Sequence, residues 1–160
     1  MPRVNVFDAE FEYEAGDPTG YRAGEAKPGG QSLGKAAGGD GLNVRLYELP
    51  PGQSLCPYHY EYAEEWLLVL DGAPTLRVPH GEQPLQRGEL VCFPPGPDGA
   101  HKVTNDTEQT ARVLMFSSAR EPAVAVYPDS DKIGVWPGNP DDNVLLRRED
   151  GHRDYWDREA

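Results

Sequence analysis

The chain has 160 residues, a length typical of a single domain with its own hydrophobic core. Its formal net charge of −12 excludes nucleic acids and anionic membrane surfaces as favoured partners, because both are bound through clustered Lys and Arg. Eighteen glycines and sixteen prolines favour many turns and short strands over long helices. No apolar stretch is long enough for a signal peptide or a bilayer-spanning helix, so we expect a cytoplasmic protein.

The first 41 residues combine two short alternating stretches with a glycine-rich segment. Residues 3–7 and 10–13 alternate apolar and polar side chains, a pattern that predicts edge strands. Residues 16–41 hold nine glycines and show no periodicity, which predicts a long loop. Such a loop is either a flexible insertion or a lid over a neighbouring site.

After a half-buried strand predicted at residues 42–47, the chain reaches a stretch rich in ionisable side chains. If residues 58–62 form another strand, His59 and Glu61 point to one face and the tyrosines to the other. Glu65 directly precedes an apolar run that is too short for a buried helix and predicts a further strand. A fold-back between these two strands would bring Glu65 level with His59 and Glu61.

One imidazole and two carboxylates at this spacing are candidates for a metal site. Two carboxylates close together in a partly buried place raise each other's pKa, and a divalent cation relieves that repulsion. Such a cation accepts imidazole nitrogen and carboxylate oxygen together. In the alternative interpretation, His59 and Glu61 lie on the solvated face of an ordinary hairpin whose tyrosines pack inward.

The remainder of the chain predicts further short strands separated by turns. One ends at Trp136, and the others lie at residues 75–78, 84–87, 90–93, 101–104, 109–117, 123–127 and 144–148. The total of about ten strands with almost no helix is typical of a β-sandwich or barrel. His80 falls in a predicted turn and His152 in a charged tail that is either a short helix or disordered, so we interpret both as solvated side chains.

Two cysteines are too few for a disulfide framework. Cys92 lies inside a predicted strand, and we interpret it as a small buried hydrophobic residue. Cys56 lies just before the candidate site, where a catalytic or redox role is the alternative to a structural one.

Residues 88–105 contain a second block of spaced glycine, proline and histidine residues, and the two blocks together resemble the paired motifs of the cupin superfamily. The second motif is matched by Gly88, Pro94, Gly96, His101 and Asn105, and the first by His59, Glu65 and Gly72. Two departures are changes of loop length, which surface connections tolerate: Gly52 lies one residue too far from His59, and four residues rather than two separate Gly96 from His101. The third departure is chemical, because Glu61 stands where the family usually has a second histidine.

The resemblance implies an all-β fold: a double-stranded β-helix, or jelly-roll barrel, in a single domain. The cupin barrel would span residues 42–148. Edge strands and the glycine-rich loop (residues 1–41) would precede it, and a C-terminal tail (residues 149–160) would follow. An N-terminal strand often joins the sheet of a partner subunit in this family, so the resemblance also implies a homodimer.

The resemblance further implies a divalent metal ion (Zn, Fe or Mn) held by His59, Glu61, Glu65 and His101. The family's usual set is three histidines and one glutamate, so Glu61 makes the loaded site less positive and a weaker Lewis acid. Family members of this kind act on small polar molecules as dioxygenases, isomerases or epimerases, or decarboxylases. The alternatives are a non-enzymatic cupin that binds a small-molecule ligand and a structural cupin that has lost its metal.

Overall fold

The computed structural model describes residues 1–151 and 153–159, and short strands dominate it. The strands are β1 (Glu12–Tyr13), β2 (Gly24–Glu25), β3 (Leu42–Leu49), β4 (Tyr60–Glu61), β5 (Glu65–Asp71), β6 (Thr75–Val78), β7 (Gly81–Pro84), β8 (Leu90–Phe93), β9 (Lys102–Thr104), β10 (Ala111–Ser118), β11 (Ala123–Tyr127), β12 (Lys132–Trp136) and β13 (Val144–Arg147). The helices of the described residues are α1 (Leu33–Ala36), α2 (Arg148–Gly151) and the 3₁₀ turns Pro28–Gly30, Pro97–Gly99, Pro128–Ser130 and Pro140–Asp142. The predicted all-β class is confirmed.

Two layers of antiparallel strands form the jelly roll. The first layer is a six-stranded sheet in the order β1-β2-β3-β10-β5-β8. The second is built from a four-stranded sheet, β13-β12-β11-β4, and a three-stranded sheet, β7-β6-β9. An isolated bridge between His59, which precedes β4, and His101, which precedes β9, connects these two sheets, and a second bridge joins Ser54 to Thr104 of β9. The chain therefore closes into a sandwich whose inner faces meet.

The main core lies between the two layers. Inward-facing side chains of β5 alternate with outward-facing ones, so that Leu67 and Val69 are buried at 0% and 1% exposure. They belong to one buried cluster with Leu49, Leu76, Leu85, Phe93, Val103 and Val113. Burial of this set stabilises the barrel and fixes the register of β5, which carries Glu65.

A second apolar cluster covers the outer face of the large sheet and corrects the prediction for the N-terminal segment. Val44 and Leu46 of β3 pack there against Val4 and Phe11 and against the buried Ala26 and Leu33. Residues 16–41 are therefore not a featureless loop, since they supply β2, α1 and two buried side chains. The predicted strand at residues 3–7 is wrong, and only Glu12–Tyr13 of the predicted strand at 10–13 is paired.

Three further predictions differ from the structure for local reasons. The predicted strand at residues 84–87 is wrong, because β7 begins at Gly81 and ends at Pro84 opposite β6, and Leu85 then turns into the core. Cys92 is exposed rather than buried, because strand alternation puts its neighbour Phe93 on the inner face. Residues 63–64 do not close a hairpin: β4 pairs with β11, whereas β5 pairs with β10 and β8.

The predicted strands at residues 75–78, 90–93 and 123–127 match β6, β8 and β11. His80 is exposed in a turn, as predicted. The charged tail begins with the short helix α2, and the prediction for His152 lies outside the described residues. Within the described ranges, no helix is both long and apolar enough to cross a bilayer.

Candidate metal centre

Three side chains predicted as metal ligands converge at one end of the sandwich. His59, Glu65 and His101 each offer one ligand atom, and these atoms all lie within 4.8 Å of one another. The Nε2 atom of His59 is 3.8 Å from Oε2 of Glu65, and the Nε2 atom of His101 is 3.9 Å from the same oxygen. A group of two imidazole nitrogens and one carboxylate oxygen is a donor set that divalent metals accept.

Backbone pairing across the second layer brings the two histidines together. The His59 amide donates to the His101 carbonyl at 3.1 Å, and the His101 amide donates to the His59 carbonyl at 2.8 Å. Residues paired in this way on antiparallel strands point to the same face, so both rings face the interior. Glu65 reaches them from the opposite layer, where it is the first residue of β5.

Hydrogen bonds to backbone carbonyls set the tautomer of both imidazoles. Nδ1 of His101 lies 2.9 Å from the Gly99 carbonyl oxygen, and Nδ1 of His59 lies 3.0 Å from the Pro57 carbonyl oxygen. A carbonyl only accepts, so each Nδ1 carries the proton and each Nε2 keeps its lone pair. The Nε2 atom of His101 is buried without a hydrogen-bond partner among the described residues. A buried acceptor without a protein partner fits the role of a metal-binding nitrogen.

Aromatic packing holds the His101 ring in place. The Phe93 ring stacks on it at a centroid distance of 3.7 Å with an interplanar angle of 8°. The His59 ring lies 4.7 Å from the His101 ring on a tilted plane, and Tyr127 stacks on His59 at 5.8 Å. The inner part of the site is therefore closely packed and largely closed to water, with His101 only 1% exposed.

Burial shifts the protonation of all three candidate ligands towards the neutral form. It lowers the pKa of His59, and together with the neighbouring His59 it lowers the pKa of His101 to about 3. Burial, and then the charge of Glu61, raise the pKa of Glu65 to about 8. Both imidazoles are thus neutral lone-pair donors at pH 7, and a cation would favour the ionised form of Glu65.

Glu61 lies in the same cavity but outside the three-residue group. It lines the wall with His59 and Glu65, and its carboxylate is close enough to act on the pKa of Glu65. Burial also raises the pKa of Glu61 itself. Its carbonyl accepts a hydrogen bond of 2.7 Å from the Gly96 amide, which ties the loop of the second motif to β4. Its predicted place as the fourth ligand stays a prediction.

The alternative interpretation of the first motif as a solvated hairpin is wrong. His59 is 8% exposed and belongs to the interior, and Tyr62 is the side chain that faces solvent, at 61% exposure. Tyr58, by contrast, is buried at 8%, beneath the Arg77 guanidinium that lies 3.9 Å from its ring centroid.

The candidate site opens into a cavity of about 430 Å³. Strand register puts Asn43, Ser117 and Glu65 at one level on the inner face of the large sheet. Sequence reasoning missed several polar side chains of this wall, which are Asn43, Arg45, Tyr47, Ser117 and Tyr127. For Asn43, Arg45 and Tyr47 the signal was the polar half of the alternating strand β3, which faces the cavity while its apolar half is covered from outside.

Cys56 also lines the cavity, with its Sγ atom 3.5 Å from Nδ1 of His59. Burial, followed by the charges of Glu65 and Glu61, raises the pKa of the Cys56 thiol to about 12. The nucleophilic form of cysteine is the thiolate, so this environment disfavours a catalytic or redox role.

Comparison with known proteins agrees with this geometry. Residues 45–117 match the family model of the cupin domain, which supports the resemblance seen in the two motifs. No curated protein sequence matches the chain.

Solved structures share the fold over 77% to 92% of the chain. A sugar phosphate isomerase of the cupin superfamily from Silicibacter pomeroyi is 23% identical, with a TM-score of 0.77 over 92% of this chain and 94% of that one. A protein from Acidithiobacillus ferrooxidans, provisionally named a sugar phosphate isomerase, is 26% identical, with a TM-score of 0.75 over 92% and 88%. The polyketide cyclase RemF from Streptomyces resistomycificus is 24% identical, with a TM-score of 0.61 over 77% and 83%.

Proposed function

We propose that this cupin is a metal-dependent enzyme that acts on a small polar molecule, with isomerase chemistry. The observation that carries the proposal is the convergence of the Nε2 lone pairs of His59 and His101 on the carboxylate of Glu65 at the inner end of an open cavity. These three residues would hold a divalent ion, with Glu61 as the fourth ligand predicted from the sequence. The donor set of nitrogen and oxygen favours Mn, Fe or Zn over Cu.

A divalent ion bound there would polarise a substrate carbonyl. Two ionised glutamates balance the charge of such an ion, so the loaded site attracts bare dianions weakly. That balance disfavours decarboxylation of small dianions. Of the remaining reaction classes, dioxygenation and isomerisation, we propose isomerisation, which is proton transfer beside a carbonyl.

Isomerisation also fits because it requires no co-reactant. A base removes the proton from the carbon next to a carbonyl, and a proton returns to the neighbouring carbon, so that atoms and electrons balance. Among the side chains that line the cavity, the Tyr127 hydroxyl can carry a proton, as can the Glu61 carboxyl group where it is not bound to the metal. The structural similarity to the 26% identical protein provisionally named a sugar phosphate isomerase supports this reaction class.

Deuterium exchange tests the proposal without a known substrate. Protein loaded with Mn, Fe or Zn is incubated in D₂O with glyceraldehyde and dihydroxyacetone, each with and without a phosphate group. We expect solvent deuterium at the carbon next to the carbonyl for at least one probe, and none with chelator-treated protein. Absence of exchange with every probe and metal would overturn the isomerase assignment. A probe that binds without exchange would favour the non-enzymatic binding cupin.

A further inference from the structure

Arg45 is the one permanently positive side chain among the described residues that line the cavity. It lies on β3 opposite Met115 of β10, which is itself opposite Leu67 of β5. Arg45 therefore shares the inner face of the sheet with the candidate metal ligands. No described part of the cavity wall supplies a second guanidinium or ammonium group.

Glu25, from the N-terminal segment, fixes the position of Arg45. In the register of β2 and β3, Glu25 is opposite Tyr47, so its side chain points to the same inner face. Oε1 of Glu25 accepts from Nη1 of Arg45 at 2.8 Å, and Oε2 lies 3.7 Å from Nζ of Lys27. The Glu25 side chain is only 14% exposed, so this contact holds the guanidinium by its edge.

Arg45 keeps N–H donors that are not used by its partners within the protein. Burial alone would lower the pKa of Arg45, but Tyr47 and Glu25 raise it, so the charge is kept. A guanidinium has five N–H donors in a fixed fork, more than these two partners take. The Arg45 side chain is 47% exposed beside the cavity, and Glu25 shares its negative charge with Lys27. The free donors of Arg45 can therefore meet an anionic oxygen group.

The distance between Arg45 and the candidate metal-binding residues limits the size of a small molecule that can contact both. β3 and β5 flank β10 in the large sheet, and Arg45 is level with Leu67, which lies two residues along β5 from Glu65. Two strand spacings and two residues of strand rise put the backbones of Arg45 and Glu65 about 12 Å apart. Because both side chains point into the cavity, a molecule of a few carbons spans the gap between their functional groups.

We propose that Arg45 determines specificity by binding a carboxylate or phosphate group at the end of the substrate remote from the metal ligands, and that Glu25 is its positioning residue. This inference rests on the proposed function and narrows the substrate to small anionic hydroxy-carbonyl compounds. It also gives the N-terminal segment a role in the site, because β2 places Glu25 against Arg45.

Calorimetric titration with glycerol, glycerate and glycerol 1-phosphate tests the proposal, because these probes share a skeleton and differ in the charged group. Titrations use the full chain, both chelator-treated and metal-loaded. We expect at least one charged probe to bind tenfold or more tighter than glycerol. Whichever of glycerate and glycerol 1-phosphate binds more tightly identifies the group that Arg45 binds as a carboxylate or a phosphate. Arg45→Gln should remove this preference and leave metal content unchanged, and Glu25→Gln should reduce it in part.

Arg87→Gln is the matched control, since Arg87 is exposed near Asp71, at the opposite end of β5 from Glu65. If Arg45→Gln does not fold, Arg45→Lys replaces it and should weaken binding by a smaller factor, because the charge remains but the fork is lost. Equal binding by the Arg45 and Arg87 variants, or no preference of the wild type for a charged probe, would overturn the proposal. Measurements with and without metal distinguish this proposal from the proposed function. A protein that takes up no metal would contradict the proposed function. Binding of the charged probes to the metal-free protein would still test the role of Arg45.

Discussion

His59 and His101 exchange two backbone hydrogen bonds across the second layer of the sandwich, and their rings lie 4.7 Å apart. This pair joins two motifs that are distant in sequence into one site. It also makes the site depend on the fold, because the pair itself connects the four-stranded and three-stranded sheets.

Chelation should lower the melting temperature of the protein as purified. An ion that binds only the native state at a hundred times its Kd stabilises it by about 2.7 kcal/mol. For a domain of this size, that corresponds to a shift of roughly 5–10 °C. Thermal unfolding with and without chelator measures the shift, and His101→Ala serves as the control that should show none. Equal melting temperatures for treated and untreated wild type would favour a barrel without metal.

Glu65→Gln should stabilise the chelated protein, and the gain should grow with pH. The native pKa of Glu65 is raised to about 8, above the ordinary value of the unfolded chain, so the native state holds this proton where the unfolded state has lost it. The wild type therefore loses stability from about pH 4.5 up to pH 8 through this group, whereas glutamine does not titrate. Melting curves at pH 5 and pH 9 test this, with the exposed Glu108→Gln as control. A difference between Glu65→Gln and wild type that stays constant with pH would contradict the assignment.

Glu61 variants should separate its two candidate roles. As the fourth ligand, Glu61→Gln should weaken metal affinity by at least the roughly tenfold to hundredfold that loss of an outer-shell partner costs. Glu61→His should keep the affinity and shift selectivity towards metals that prefer nitrogen. Competition titrations with Mn and Zn provide the measurement. Unchanged affinity in both variants would remove Glu61 from the ligand set. Loss of deuterium exchange at unchanged affinity would make it the base.

The protein should form a homodimer through the large sheet. The family resemblance implies this assembly, and exposed apolar side chains, among them Leu42 at 54% and Leu90 at 56%, lie on β3 and on the edge strand β8. Light scattering should give about twice the chain mass of 17.6 kDa, and Leu90→Glu should lower it. A wild-type mass of one chain would rule the dimer out at that concentration.

The sequence predicted the barrel and three of its converging side chains because motif spacing encodes local backbone geometry. Gly72 has a φ of 77°, and a Cβ there would lie 2.8 Å from the Ala111 backbone, so its glycine is required. Gly88 and Gly96 both have a φ of 88°, again a conformation that favours glycine. The backbone conformation at such glycines is therefore predictable from the local sequence, without knowledge of distant contacts.

The wall of the cavity could not be predicted in the same way. The alternation of apolar and polar residues in β3 predicts two different faces but does not predict which of them lines the interior. The apolar face, with Val44 and Leu46, is covered by the N-terminal segment, which leaves Arg45 and Tyr47 to line the cavity. That choice depends on contacts between segments far apart in the chain. The glycine-rich composition of residues 16–41 predicted a loop, so the sequence did not indicate that this segment packs against the apolar face of β3.

The metal content of the purified protein tests the central claim most directly. Elemental analysis of untagged protein, prepared without chelators, should find close to one equivalent of Mn, Fe or Zn per chain. The same analysis should find little in His101→Ala, and the wild-type amount in His80→Ala, because His80 is exposed in a turn. Metal far below one equivalent in the wild type, with no uptake when Mn, Fe or Zn is added, would contradict a metal centre at His59, Glu65 and His101.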